Sequence, residues 1–299
     1  MKDLKSWGFN TIGWTQESVT RTVKHSPGWR ITEYRWARMP YCHLLKFANL
    51  ARWNREVHYP DVFSDEFEEW CDFVARESCV DMADDPFLIG YFYSDVPGWT
   101  GHPWGNSWAD GLDLTTEEGR TALKEIAQRY YKVLHNSIRR YDRNHLILGD
   151  RYDGNRDIPE FILEVAKETM DVLSIQYFPN SLSFEDMKEK FARWHRITGK
   201  PILLADTGII GPTKLAPNRV GLVKTHDERG RAYERLAEEM FSEPYFIGLH
   251  WCAYIENRAR RNGLKDDLDM PYEDAVRRIR EFNRRVYLAA ENAISSTSE

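Results

Sequence analysis

The chain has 299 residues, 42% of them hydrophobic, and this length suits one barrel-sized domain or two smaller ones. A formal net charge of −6 gives no reason to expect a nucleic acid or an acidic membrane surface as a partner. Because no apolar run of membrane-spanning length and no charged, apolar signal segment occurs, the chain as given is expected to be soluble and cytoplasmic. A lost N-terminal signal would make it secreted or periplasmic.

The sequence predicts no metal site, and, since it has no nucleotide-binding glycine loop, no cofactor is expected either. Neither a CxxC nor an HxxxH pattern occurs, and the acidic run at 266–269 lacks the spacing of a calcium loop. Buried free thiols are therefore expected for the four cysteines, which are Cys42, Cys71, Cys79 and Cys252. The 11 tryptophans and 15 tyrosines are compatible with a sugar-binding cleft, and equally with a large core.

The N-terminal part is predicted to contain, in order, a helix at 1–8, a strand at 10–15, a loop at 16–38, a strand at 39–48 and a loop at 49–64. Ser64 is expected to cap a helix whose apolar face comprises Phe67, Trp70, Phe73 and Val74. An apolar run without alternation at 87–93 then predicts a strand that is buried on both faces. Proline cannot continue the hydrogen-bond ladder, so Pro97 ends this strand and leaves Asp95 at its carboxyl end.

The C-terminal part alternates between helices and strands. Thr115 and Glu118 predict a capping box for a long helix. The following elements are a strand at 145–152, a helix at 159–169, a strand at 171–178, a helix at 183–197, a strand at 201–208, a helix at 226–242, a strand at 245–255 and a helix at 271–290.

This alternation predicts an α/β fold, namely a TIM (β/α)8-type barrel in one catalytic domain at 1–290, followed by a flexible tail at 291–299. Only seven strands can be counted, and the first strand of a barrel is apparently missing from the chain. The barrel is then truncated, open or completed by another element. In a barrel, the polar residues at the strand ends converge at one mouth, and these are Asp95, Asp150, Tyr177, Asp206 and Glu256.

Several segments carry a family resemblance: Gly90-Tyr91-Phe92, LGDRY at 148–152, KPILLAD at 200–206, GLHWCAY at 248–254 and Asn262-Gly263-Leu264. Together they resemble agarase-type glycoside hydrolases of the retaining (β/α)8-barrel clan, over about residues 1–285. The resemblance implies that Tyr177 and Trp251 line the sugar subsite next to the scissile bond. It also places Val96 where the family has its acid/base glutamate, and Asp206 at the nucleophile position.

Glycoside hydrolysis needs two carboxyl groups, and Asp95 and Asp206 are the predicted catalytic pair. Aspartate arms are shorter than glutamate arms, which favours inversion or a non-standard mechanism over ordinary retention. Each acid has a structural alternative, as a helix cap or as the partner of an arginine. The candidate substrate-binding residues, which core packing or ion pairing could equally explain, are Trp14, Trp99, Asp150, Arg151, Tyr177, His250, Trp251 and Glu256.

The sequence therefore predicts a glycoside hydrolase that acts on a polysaccharide or an oligosaccharide. Two alternatives stay open: a catalytically degenerate carbohydrate-binding barrel, for which Val96 is the best argument, and a carbohydrate lyase or epimerase that uses Tyr177 or His250. The expected partner is a carbohydrate, and the oligomeric state, including a homodimer, is left open.

Overall fold

A computed structural model describes residues 1–15, 31–50, 57–100, 106–156, 158–256 and 262–296. Its strands are β1 (Ile12–Thr15), β2 (Tyr41–Leu44), β3 (Leu88–Asp95), β4 (Leu146–Asp153), β5 (Leu173–Gln176), β6 (Ile202–Thr207) and β7 (Phe246–Trp251). Its helices are α1 (Lys2–Ser6), α2 (Ile31–Ala37), α3 (Asp65–Met82), α4 (Glu117–Tyr141), α5 (Glu160–Ala166), α6 (Glu185–Thr198), α7 (His226–Phe241), α8 (Glu273–Asn283) and α9 (Val286–Ser296).

The seven strands form one parallel sheet in sequence order, from β1 to β7, which confirms the predicted barrel. The sheet curls until its outer strands nearly meet. A Cβ atom placed on Gly13 of β1 would lie 3.3 Å from Cγ of His250 on β7. Within the described residues the barrel is thus nearly closed by seven strands, the number counted in the sequence.

Side chains of the strands separate into an inner and an outer set, because successive residues of a strand face opposite sides. The inner set is an apolar cluster inside the barrel, comprising Cys42, Leu44, Phe92, Leu148, Val172, Leu203 and Ala205. The outer set packs against the helices in the main core. All four cysteines are free thiols, as predicted, and Cys252 alone among them is only partly buried.

Four local predictions are wrong. The predicted loop at 16–38 contains helix α2, and residues 16–30 lie outside the described part. Trp70 and Phe73 do not face the core, since they are 47% and 45% exposed. The buried face of α3 is instead formed by Phe67, Cys71, Val74, Ala75, Ser78, Cys79 and Met82.

The other two errors concern helix ends. Thr116, not Thr115, caps α4, and its side chain accepts a hydrogen bond from the backbone N–H of Gly119. The predicted closing helix is two helices, since α8 ends at Asn283 and α9 continues to Ser296, inside the predicted tail. Within the described ranges, none of the helices is long and apolar enough to cross a membrane.

Candidate active site

Four polar side chains meet at the carboxyl ends of neighbouring strands. Asp95 on β3 pairs in register with Arg151 on β4, and Gln176 on β5 pairs with Asp206 on β6. Because the strands are parallel, their carboxyl ends lie at the same edge of the barrel. The structure thus brings together three predicted residues, Asp95, Arg151 and Asp206, and one that was not predicted, Gln176.

Arg151 lies between the two aspartates. Its Nη1 donates to Oδ1 of Asp95 at 2.5 Å, and its Nη2 lies 3.4 Å from Oδ2 of Asp206. Nη2 also donates to the carbonyl oxygen of Ala205 at 2.9 Å. Since both contacts reach one planar guanidinium, the two carboxylate oxygens are at most about 8 Å apart.

Burial makes this cluster electrostatically strong. The Arg151 side chain is fully buried, and Asp95 and Asp206 are each 7% exposed. Because water screens buried charges only weakly, these charges interact more strongly than an ion pair at the surface does. The two carboxylates and one guanidinium, when all are ionised, carry a net charge of about −1.

Gln176 is a second neighbour of Asp95. Its Nε2 donates to Oδ1 of Asp95 at 2.6 Å and approaches the carbonyl oxygen of Arg151 at 3.3 Å. Asp95 Oδ1 therefore accepts hydrogen bonds from both Arg151 and Gln176, which orient this carboxylate. The sequence offered little reason to select Gln176. Its one distinguishing feature is that it directly precedes Tyr177, a residue that was predicted to lie at the end of the strand.

Val96 directly follows Asp95 in a sterically unfavourable conformation. Its φ is 49°, in the left-handed region that a β-branched residue rarely adopts. The residue is buried, and its N–H donates to the carbonyl oxygen of Arg151 at 3.0 Å. Such strain persists where the surroundings impose it and is concentrated at functional sites.

Asp150 faces the opposite side of β4 from Arg151. Its Oδ1 accepts hydrogen bonds from Ser94 at 2.6 Å and Tyr130 at 3.1 Å, and its Oδ2 accepts one from Tyr131 at 2.8 Å. Burial raises the pKa of Asp150 to about 6, although these hydroxyl groups act in the opposite direction. The structure thus places Asp150 between the sheet and α4, not at the mouth.

Two predicted tryptophans are not brought to the mouth by any described contact. Trp99 is 3% exposed, and its ring stacks on Trp108 at 4.6 Å beside Tyr130 and Tyr131. It is therefore part of an aromatic cluster on the inner face of α4. Trp14 belongs to β1, but its side chain lies outside the described part of the structure.

Tyr177 and Trp251 lie at the ends of β5 and β7. The Tyr177 hydroxyl donates to Asp186, and its side chain is almost fully buried, so burial raises its pKa. Trp251 is partly exposed, and its Nε1 donates to the carbonyl oxygen of Asn262 at 3.0 Å. The Trp251 ring also meets Tyr233 of α7 edge-on at 5.5 Å, so it packs in part against the helices.

His250 and Glu256 have different surroundings. His250 extends into the barrel, where its ring meets Phe92 edge-on at 6.5 Å, and burial lowers its pKa to about 4. Glu256 is 2% exposed, and its Oε1 accepts a hydrogen bond from the N–H of Leu215 at 3.0 Å, which ties together two mouth loops. Within the described residues, no cluster of three potential metal ligands occurs.

The chain is distantly similar to β-agarases in sequence and in structure. It is 24% identical to β-agarase B of Vibrio sp. (strain JT0107) over 177 residues, which are 56% of this chain and 18% of that protein. No model of a known protein family matches the chain.

Solved structures agree on the fold. An exo-β-agarase superposes with a TM-score of 0.73 at 19% identity, covering 96% of this chain and 46% of its own. A Bacteroides uniformis β-glucuronidase superposes with a TM-score of 0.64 at 14% identity, covering 93% of this chain and 31% of its own. The chain thus spans less than half the length of these proteins.

Proposed function

We propose that the chain is a glycoside hydrolase that acts on a polysaccharide or an oligosaccharide of the kind that agarases or galactosidases cleave. The observation that carries the proposal is the meeting of Asp95 and Asp206 around Arg151 at the barrel mouth. Two carboxyl groups within about 8 Å can act on one glycosidic bond, which is the minimal requirement for this chemistry. The distant relation to β-agarases supports a sugar as the substrate.

In the proposed reaction, Asp95 is the general acid and Asp206 the general base. This role requires that Asp95 enters the reaction protonated, with Arg151 then balanced by the Asp206 carboxylate. Asp206 removes a proton from water, the water oxygen bonds to the anomeric carbon, and the glycosidic C–O bond breaks. Asp95 gives its proton to the leaving oxygen, which completes a hydrolysis with inversion.

Sugar binding is assigned to residues at the same mouth. Trp251, which is partly exposed at the end of β7, is assigned the role of a stacking surface for a pyranose, and Tyr177 follows Gln176 at the end of β5. Roles for Trp14, His250 and Glu256 in substrate binding stay predictions. Trp99 and Asp150 also stay predictions, and their burial favours a structural contribution to the site.

A second candidate function is carbohydrate binding without turnover. Arg151 contacts both aspartates, and an ion pair favours the charged form of an acid over the protonated form that a proton donor needs. Val96 stands where the resemblance expects the acid/base residue, and its side chain has no ionisable proton. These two observations favour a barrel that binds sugar but does not cleave it.

The test compares the wild type with Asp206→Asn and Asp95→Asn, and uses Asp153→Asn as a matched control. Asp153 also lies at the end of β4, but it pairs with Arg156 at 3.5 Å. The substrates are agarose oligosaccharides and a panel of aryl β-glycosides, with reducing ends counted and the anomer assigned by proton NMR. We expect each of the two site variants to lose about a thousandfold in kcat, and the control to stay near wild type.

The outcomes separate the candidates. Calorimetric binding of the oligosaccharides without products over days would support the binding barrel. An unsaturated product, or solvent deuterium at a sugar carbon, would indicate a lyase or an epimerase. Wild-type turnover by Asp206→Asn, with circular dichroism showing an unchanged fold, would contradict the assignment of the catalytic pair.

A further inference from the structure

Gln176 lies at the carboxyl end of β5, where its buried side chain faces the inside of the barrel. Successive residues of a strand face opposite sides, and the next residue, Tyr177, points outward and donates its hydroxyl proton to Asp186 of α6. Gln176 instead reaches across β4, and its Nε2 lies 2.6 Å from Oδ1 of Asp95. The acid of the proposed reaction is thus contacted from β5 by a side-chain amide.

The orientation of the Gln176 amide follows from its second contact. The same Nε2 lies 3.3 Å from the carbonyl oxygen of Arg151, and a carbonyl oxygen can only accept a hydrogen bond. The nitrogen of the amide must therefore face this carbonyl group. Because an NH2 group carries two hydrogens, it can donate to the Arg151 carbonyl oxygen and to Asp95 at the same time. The amide is thus fixed as a donor toward Asp95.

Oδ1 of Asp95 already accepts two hydrogen bonds. One comes from Nε2 of Gln176, and the other comes at 2.5 Å from Nη1 of Arg151, which as a guanidinium nitrogen can only donate. A carboxyl oxygen has two lone pairs, so two N–H donors occupy both of them. A hydrogen on Oδ1 would point at one of these donors. When Asp95 is protonated, its proton must therefore be on Oδ2.

We propose that Gln176 is a positioning residue for the general acid: together with Arg151 it holds Oδ1 of Asp95 as an acceptor, so that Oδ2 carries the transferable proton. The use of this proton rests on the proposed hydrolysis, whereas its location does not. In that reaction, Oδ2 gives the proton to the leaving glycosidic oxygen, and the water that bonds to the anomeric carbon gives one of its own to Asp206. The donors on Oδ1 then stabilise the negative charge that Asp95 acquires.

The other titratable groups near the Arg151 guanidinium lie on three further strands. On β6, Oδ2 of Asp206 is 3.4 Å from Nη2 of Arg151. Burial raises the pKa of the Cys42 thiol on β2 to about 12 and lowers the pKa of His250 on β7 to about 4. Both groups are therefore uncharged near pH 7, and a change of charge next to Arg151 at this pH comes from the aspartates.

A neutron structure of the wild type in D2O locates the proton directly. The pH is set below the titration of the Asp95 carboxyl group, which carbon-13 NMR measures on the signal that Asp95→Asn lacks. We expect deuterium on Oδ2 of Asp95 and two deuterium atoms on Nε2 of Gln176, directed at Asp95 and at the Arg151 carbonyl oxygen. Deuterium on Oδ1, a reversed amide, or an Asp95 that is still ionised at about pH 3 would overturn the proposal.

The variant Gln176→Met keeps the length of the side chain and removes the donor. Because a hydrogen bond to the charged form lowers the pKa of an acid, the pKa of Asp95 is expected to rise by about one unit in this variant. Gln128→Met, at an exposed position of α4, is the matched control and should leave the titration unchanged. An unchanged titration of Asp95 in a folded Gln176→Met variant would contradict the positioning role, and the neutron structure tests it without any variant.

Turnover distinguishes this inference from the proposed function. If the chain is a hydrolase, the alkaline limb of kcat against pH should move up by about one pH unit in Gln176→Met, with KM within about twofold of the wild type. The expected proton position and titration shift in a chain without turnover would support the positioning role and contradict only the hydrolysis. Turnover with the same alkaline limb in both proteins would contradict the positioning role alone.

Discussion

Arg151 is a fully buried cation whose neighbours include carboxylates on two other strands. Replacing it with methionine leaves Asp95 and Asp206 buried next to each other without this compensating charge. Breaking a buried ion pair by removing one partner costs about 3–5 kcal/mol. We therefore expect Arg151→Met to lower the free energy of unfolding by about that amount, as measured by urea denaturation at pH 7.

The matched control is Arg156→Met on the same side of the barrel. Arg156 pairs with Asp153 at 3.5 Å and is 43% exposed, so its loss is expected to change stability by less than about 0.5 kcal/mol. If Arg151→Met were as stable as this control, the two aspartates would not depend on the guanidinium, and the cluster described at the mouth would be wrong.

Asp150 gives the chain a stability component that depends on pH. Its pKa rises from an ordinary 3.8 to about 6 through burial. An acid with a raised folded-state pKa contributes most stability while protonated, below about pH 4, and loses that contribution as the pH rises through about 6. A shift of this size corresponds to about 3 kcal/mol.

Asp150→Asn removes this component, because an amide does not titrate. The stability of the wild type relative to the variant is expected to fall by about 3 kcal/mol between pH 4 and pH 7.5, measured by denaturant unfolding at each pH. Asp84→Asn, at an exposed position, is the control for the loss of one carboxylate. A difference for Asp150→Asn that rises with pH would contradict the burial mechanism.

At the scale of single residues, the sequence predicted some members of the site and missed others. What separates the two groups is whether the role of the residue depends on local sequence or on strand pairing. Asp95, Arg151 and Asp206 could be identified because each follows an apolar run, and such runs end at the barrel mouth. Gln176 and Ser94 could not, because their roles depend on strand register and on side-chain direction. Neither property is encoded in local composition.

Helix α4 starts at a cap that lies one residue later than the sequence pattern indicates. Thr115 is held by Asp113, whose Oδ1 accepts hydrogen bonds from its N–H and its hydroxyl group. Thr116 is then left to accept from Gly119 N–H at 3.1 Å. Asp113 thus engages Thr115 in a local turn, so that Thr115 does not act as the helix cap. The capping-box pattern takes no account of such a turn.

Thr116→Ala is expected to lower the free energy of unfolding by about 1 kcal/mol, because the Gly119 N–H loses its acceptor. Thr121→Ala, at an exposed position inside α4, is the matched control and is expected to be neutral or slightly stabilising, since alanine favours helix more than threonine does. Thermal or urea unfolding of both variants gives the comparison. Equal losses would place the cap elsewhere.

Helix α3 shows how far periodicity alone reaches. Its existence and its cap at Ser64 were predicted correctly, but the buried stripe runs through small residues such as Ala75, Ser78 and Cys79. Trp70 and Phe73 were assigned to the core for their hydrophobicity, yet they pack on each other at the surface. A hydrophobicity pattern ranks such small side chains below aromatic ones, so it does not identify this buried stripe.

At the scale of the whole barrel, the seven strands of the described residues differ in how completely they are enclosed. β4 and β5 pair without a break in register, and nearly all of their residues are buried. In β7 only Phe246 is buried, and the pairing of β7 with β6 contains shifts in register. The number of strands could be predicted from the sequence. The difference in burial between the central and the outer strands could not, because it depends on how β1 and β7 meet.

Hydrogen exchange should follow this difference. Amides of β4 and β5 are expected to exchange only through global unfolding. Amides of β7 and β1 should exchange at least about tenfold faster, through local opening where these two strands meet. Exchange measured by NMR or mass spectrometry at pH 7, with denaturant below the unfolding transition, separates the two classes. A strand whose amides exchange only through global unfolding does not open before the rest of the barrel. Equal protection of β7 and β4 would therefore show that the contact between β1 and β7 is as stable as the centre of the sheet.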